Sequence, residues 1–182
     1  MVSSCIMAQS KTNAKVVAEL NRQLNQELAA AHSYLALSVW CDARNFKGFG
    51  KYFVKQAGEE RAHAEKILKH LTDRNETAKL TAVPVPKQDF GTLLEVAQQA
   101  LSQERANTMG IHTIHEVAME AKDYPAQVLM HWFIAEQVEE EDWATEMVER
   151  LQGATSAGGL TYLDRHIERY LEEEVREVPE EK

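Results

Sequence analysis

The sequence predicts an all-α fold: a four-helix bundle with one long crossover and a short C-terminal fifth helix. Three observations predict it. The chain of 182 residues holds four prolines, none before Pro84, and is rich in Ala, Leu, Glu, Gln and Lys, a composition that favours helix. Four long segments carry apolar residues at steps of three and four, the period of a helix with one buried face. Between the second and third lies a stretch of different character, NETAKLTAVPVPKQ, residues 75–88. The length fits one domain with room for a core.

The first helix opens at Thr12 or Asn13, either a competent N-cap, and runs to about Arg44. Its inner stripe reads Val17, Leu20, Leu24, Glu27, Ala31, Tyr34, Ser38, Cys41. A short connection from Asn45 to Phe49, containing Gly48, leads into a second helix ending near Arg74. That helix buries Phe49, Phe53, Gln56, Glu60, His63 and Ile67. Residues 75–88 follow, with Pro84 and Pro86 favouring extended backbone. At about 3.1 Å per residue they span roughly 40 Å, close to the length of a 25-residue helix at about 1.5 Å per residue. A crossover along the bundle, leaving the second and third helices parallel, is the economical reading; a loose hairpin between antiparallel helices is the alternative. The third helix starts after Asp89 and runs to about Lys122, with stripe Leu94, Ala97, Leu101, Glu104, Thr108, Ile111, His115, Ala118. The fourth opens at Asp123-Tyr124-Pro125, Asp as cap and Pro in the first turn. Its stripe is Met130, Phe133, Gln137, Glu140, Ala144, Met147, Leu151. After a break from Gly153 to Gly159, Thr161-Tyr162-Leu163-Asp164 has the form of a capping box and starts the fifth helix, which runs to about Glu174. The tail EEEVREVPEEK reads as solvated and mobile.

Each of the four long stripes is interrupted at its middle by a polar group: Glu27, Glu60 with His63, Glu104, and Gln137 with Glu140. Glu60 and His63 are three apart, one turn from each other on one face, so a carboxylate and an imidazole can share one ion. Any single glutamate at such a position can instead face solvent. Four glutamates buried together cost several kcal/mol each to desolvate and repel one another; protonation removes part of that cost, and too few Lys or Arg share their faces to neutralise them. Two divalent cations would neutralise them. Oxygen ligands with one imidazole suit iron or manganese, with zinc as competitor.

These residues resemble the bacterial non-haem ferritins over about Lys15 to Glu172. The resemblance rests on ELNRQLNQELAAAHSYLALSVWC, GEERAHAEKIL, Glu104 in SQERAN, and HWFIAEQVEEE. It implies a ferritin-like domain over residues 13–175, between a flexible lead (1–12) and an acidic tail (176–182). It also implies an iron-storage protein that oxidises Fe(II) with O2 or H2O2 at a di-iron centre inside each subunit of a 24-subunit shell. Carried over by position, Glu27, Glu60 and His63 would bind the first iron, and Glu60 would bridge to the second. Glu104 and Glu140 would complete the second site, Gln137 would orient a bound water or oxygen species, and Tyr34 would be a redox-active phenol. Glu59, Glu136, Glu139 and Glu140 match a third iron site, although Glu139-Glu140-Glu141-Asp142 also reads as a solvated acidic face. Di-iron carboxylate bundles commonly use two Glu-x-x-His motifs; this chain has one, with Glu136-Gln137-Val138-Glu139 in the fourth helix. That departure counts against a di-iron oxidase or peroxidase that retains its metals. A DNA-protecting mini-ferritin builds its site between subunits and usually lacks the fifth helix. Arg61 follows Glu60 where bacterioferritin has its haem-binding methionine, so no haem is expected. His115 matches a histidine near the three-fold channel of animal ferritins, but the acidic positions there read Gln127 and Met130. His112, His115, Glu116 and Glu120 read as surface or interface residues.

The formal charge of −9 argues against nucleic-acid or anionic-membrane partners. Cys5 and Cys41 make no disulfide framework, no secretory signal precedes them, and Cys41 reads as a small buried hydrophobe. No uncharged run reaches the roughly 18–20 residues of a membrane span. The cytoplasm is the expected location.

Overall fold

A computed structural model describes residues 12–154 and 156–177, with side chains as far as residue 171. It contains α1 (Ala14–Asp42), α2 (Lys47–Asp73), α3 (Leu93–Glu120), α4 (Tyr124–Gly153) and α5 (Ala157–Glu177), with no strand among the described residues. Expectations for the lead, for Cys5 and for residues 178–182 fall outside the described residues.

The crossover is settled by its hydrogen bonds to α1. Lys79 N donates to Asn21 Oδ1 (2.6 Å) and Thr81 N to Asn25 Oδ1 (2.8 Å), while Trp40 Nε1 donates to Phe90 O (3.0 Å). The chain thus climbs α1 from its N-terminal third to its C-terminal end. Gln26 on α1 meets Asn107 on α3, and Tyr34 meets Glu104, so α3 runs antiparallel to α1 and parallel to α2. An ion pair of 2.8 Å from Arg74 to Asp123 ties the end of α2 to the α3–α4 turn.

Local chemistry sets the helix ends. Asn13 caps α1 through Lys15 N, and Asp123 caps α4 through Ala126 N. The cap of α3 is Thr92, three residues beyond the expected Asp89: its hydroxyl accepts from Glu95 N, and the Glu95 carboxylate accepts from Gly91 N. Asn45, Asn75 and Lys122 adopt positive φ (62°, 60° and 55°) where the chain leaves α1, α2 and α3.

Two expectations are corrected. Gly48 and Phe49 belong to α2, not to a turn, and α5 starts at Ala157, with Ser156 Oγ accepting from Gly159 N. Thr161 is inside α5, its hydroxyl donating to Ala157 O, and the helical backbone continues to Glu177, past the expected end near Glu174. The freed Asp164 caps a different helix. α2 receives no side-chain cap from Phe46; Phe49 N donates instead to Asp164 Oδ1 of α5 at 3.1 Å. A Cβ on Gly48 would lie 1.9 Å from Asp164 O, so the glycine is there for close approach of α5.

The core is split in two. One cluster joins Tyr34, Leu37 and Cys41 to Phe49, Phe53, Val96, Leu101, Ala144 and Leu151. The other joins Val16, Leu20 and Leu24 to Ala64, Ile67, Ile111, Met130 and Phe133. On all four helices the gap between the clusters falls where the stripes are interrupted.

Candidate metal centre

The polar layer between the two apolar clusters is buried: Glu27, Glu60, His63, Glu104 and Gln137 are each at most 5% exposed. Glu140 is half-buried at its edge. Ligand atoms of Glu27, Glu60 and His63 lie within 4.8 Å of one another, the one group of three metal-ligating residues among the described residues. Glu27 Oε2, Glu60 Oε2 and His63 Nδ1 are buried and have no hydrogen-bond partner. Buried polar atoms are almost always paired; these three, grouped within the trio, mark a place for a cation or, without one, for a proton shared between Glu27 and Glu60. His63 Nδ1 is 3.4 Å from Glu60 Oε2, and its ring is wedged edge-on between Trp132 and Phe133 (centroids 5.5 and 5.6 Å).

The other carboxylate oxygens are already engaged. Gln23 Nε2 donates to Glu27 Oε1 at 2.9 Å and Asn107 Nδ2 to Glu60 Oε1 at 3.0 Å. The Tyr34 hydroxyl donates to Glu104 Oε1, while Gln137 Nε2 lies 3.3 Å from Glu104 Oε2 and from Thr108 Oγ1. Both oxygens of Glu104 are thus occupied, and Glu104 and Glu140 form no second group of three metal-ligating residues among the described residues.

Burial pushes the carboxyls of Glu27, Glu60 and Glu104 above their ordinary range, Glu60 furthest because Glu27 and Glu104 add repulsion. Burial, then the charges of Glu104 and Glu59, push Glu140 up to about 8. Burial also lowers His63, leaving a neutral imidazole, and raises the Tyr34 phenol. Neutral nitrogen and strained carboxylates are the donor set a divalent cation stabilises most.

Outside this layer, Glu59, Glu136, Glu139 and Glu140 line an open cleft of about 200 Å³ with Tyr52, Lys55, Trp143 and Tyr170. Glu59 is paired there with Lys55 (3.1 Å) and receives a bond from Gln56 Nε2. His112, Glu116 and Glu120 are exposed, and His115 packs against His131 with ring centroids 5.3 Å apart. Sequence reasoning missed Gln23 and Asn107, both wholly buried. Their spacing from Glu27 and Glu104 was visible, but an amide in a stripe does not announce which carboxylate it serves.

Comparison with known proteins agrees with this architecture. The ferritin-like domain family matches residues 17–154. The chain is 40% identical over 129 residues to a bacterial non-heme ferritin of Staphylococcus saprophyticus, covering 71% of this chain and 77% of that one. It is 43% identical over 122 residues to one from Staphylococcus aureus, covering 67% and 74%. An open pore ferritin from the hyperthermophilic archaeon Archaeoglobus fulgidus superposes with a TM-score of 0.85 at 33% identity, over 87% of this chain and 97% of that one. Matched by the family model over residues 17–154 and by these relatives over most of its length, the chain belongs to the ferritin family.

Proposed function

We propose that the protein stores iron and oxidises it on the way in, using a paired site within each subunit. The observation that carries this reading is the set of three unpartnered buried atoms, Glu27 Oε2, Glu60 Oε2 and His63 Nδ1. In this reading the trio takes the first ferrous ion. Glu104 and Glu140 take the second, Glu60 bridging once both oxygens are available, and Gln137 directs its amide at water or oxygen beside them. Two ferrous ions supply two electrons; with two protons these reduce O2 to hydrogen peroxide, and H2O2 in turn takes two electrons to give water. Tyr34, hydrogen-bonded to Glu104, gives a further electron when the oxidant takes more than the two ferrous ions supply. Glu59, Glu136, Glu139 and Glu140 offer a third, more open position through which ions pass. The second position has carboxylates and no imidazole, so it holds iron more loosely, as suits an ion that moves on to storage.

Storage requires an enclosure, and a single bundle has none. The outer face of α1 with the crossover exposes Leu35, Val39, Val83 and Val85, the last 85% exposed. An apolar band of this kind is covered by a second copy in the assembly we infer, a 24-subunit shell. No helix of the described residues is long and apolar enough to cross a membrane.

The test is stopped-flow oxidation of Fe(II) by O2 in assembled protein. Glu60→Ala and His63→Ala should each abolish the fast phase while the shell stays assembled. Tyr34→Phe should keep that phase and lose a phenoxyl signal seen by freeze-quench EPR in the wild type. Wild-type initial rates in the first two variants would refute the paired-site reading.

A further inference from the structure

Arg22 stands on the bundle surface, its side chain 42% exposed and its Nε 2.7 Å from Glu19. Its two terminal nitrogens lead in different directions. NH1 donates to Gln26 Oε1 (2.8 Å), Gln26 Nε2 donates to Asn107 Oδ1 (2.9 Å), and Asn107 Nδ2 donates to Glu60 Oε1 (3.0 Å). NH2 donates to Gln23 Oε1 (3.2 Å), and Gln23 Nε2 donates to Glu27 Oε1 (2.9 Å). Every donor points inward, so one guanidinium is wired through amides to one oxygen of each carboxylate in the trio. A planar guanidinium serves the two branches from two different nitrogens; an ammonium has all three donors on one atom and reaches both only where both acceptors lie within one hydrogen-bond length of it. Chains with all dipoles aligned strengthen each link.

The fold makes room for this fork. NH2 also donates to Gly110 O at 3.3 Å, and a Cβ on Gly110 would lie 2.0 Å from Gln23 Oε1 and 3.0 Å from Arg22 NH2. The network also fixes the amide of Asn107: flipped, it would set its oxygen against the Glu60 carboxylate and its nitrogen against that of Gln26.

We propose that Arg22, Gln23, Gln26 and Asn107 form a forked positioning relay that sets the order of metal loading. By holding Oε1 of Glu27 and Glu60, it presents both Oε2 atoms with His63 Nδ1 as a preformed first position, and it makes the second ion wait until Asn107 releases Glu60 Oε1. The proposal rests on the paired-site reading above. Arg22 and the three amides are positioning residues, acting through Glu27 and Glu60.

The test is anaerobic titration of metal-free, full-length protein with Co(II), followed by its visible absorption. Wild type should take up two ions in unequal steps. Asn107→Leu removes a hydrogen bond to a charged group, so it should weaken the first step, strengthen the second and narrow their ratio by about tenfold. Gln26→Met, at a half-buried position that tolerates the change, should narrow it less. Arg22→Leu should narrow it more than Arg22→Lys, which keeps the charge and can still serve one branch. A bundle that is merely loosened weakens both steps together, and that result would overturn the relay. So would an unchanged ratio in Asn107→Leu or, should that variant not fold, in Gln26→Met. A wild type that takes up no pair of ions overturns the paired-site reading and the relay with it; two steps with an unaltered ratio overturn the relay alone.

Discussion

At the scale of single residues, the chemistry follows from where four carboxyls sit relative to water. Each of Glu27, Glu60, Glu104 and Glu140 binds its proton more tightly in the folded chain than in the unfolded one, because burial penalises the anion and, for Glu27, Glu60 and Glu140, neighbouring carboxylates add repulsion. Between the ordinary carboxyl value and the raised one, the folded state of metal-free protein holds more protons, so its stability falls as pH rises. With Glu140 at about 8, that window reaches from the acid side to about pH 8. His63 and His70 act oppositely, since their lowered values withdraw stability below the ordinary imidazole range, and they offset part of the carboxyl effect. Chelator-treated protein should therefore be more stable to urea at pH 6 than at pH 8, by about 1 kcal/mol once the two histidines are set against Glu140. Adding a divalent cation at pH 8 should cancel the difference. Metal-free protein that is equally stable at both pH values would show that the carboxyls relax to solvent.

At the scale of elements, α5 is attached by Leu160, Leu163, Ile167 and Leu171 packing on the core, by the Lys51–Glu168 ion pair, and by a close polar junction with the start of α2. Asp164 supplies the N-terminal cap that Phe46 does not, and Gly48 lets the α5 backbone come within contact. Asp164→Ala should cost about 1 kcal/mol, the usual loss of a cap, and should raise amide exchange through α5. Asp164→Asn, which keeps an accepting oxygen, should restore most of the protection. Gly48→Ala should be worse than either, because its methyl meets backbone and not a movable side chain. In all three variants α1 to α4 should keep the trio intact, read as unchanged first-step Co(II) affinity. Equal exchange protection of α5 in Gly48→Ala and wild type would refute this account. Cys41 belongs to the same end of the bundle, and burial holds its thiol up at about 12, so it is a packing group and not a nucleophile.

At the scale of the whole molecule, the apolar band on α1 and the crossover is what an isolated subunit leaves exposed. Leu35 and Val39 are one turn apart on α1, 46% and 69% exposed, above a cleft that also includes Pro86. A glutamate at Val39 would need desolvation in any contact between copies. Val39→Glu should leave the far-UV circular dichroism of the bundle unchanged and shift the mass by light scattering from a shell to small species. A variant that still elutes as the wild-type particle would place the subunit contact elsewhere.

The sequence by itself determined the all-α class, the crossover and the layer of Glu27, Glu60, His63, Glu104 and Gln137. Helical period is a local property, and a polar residue in an apolar stripe declares that its face is buried whatever the face meets. The prolines of the crossover are equally local in their effect. The start of α5 and the place of Gly48 were misread, and the cap on α2 went unread, because Gly48 and Asp164 take their meaning from each other across 115 intervening positions. The relay from Arg22 to Glu60 was invisible for the same reason: Gln23, Gln26 and Asn107 look like ordinary amides until α1 and α3 are brought to Gly110. Periodicity reports which side of a helix is dry. Only the packing of helices distant in sequence decides which atom of a buried carboxylate is tied down and which is left open for a metal.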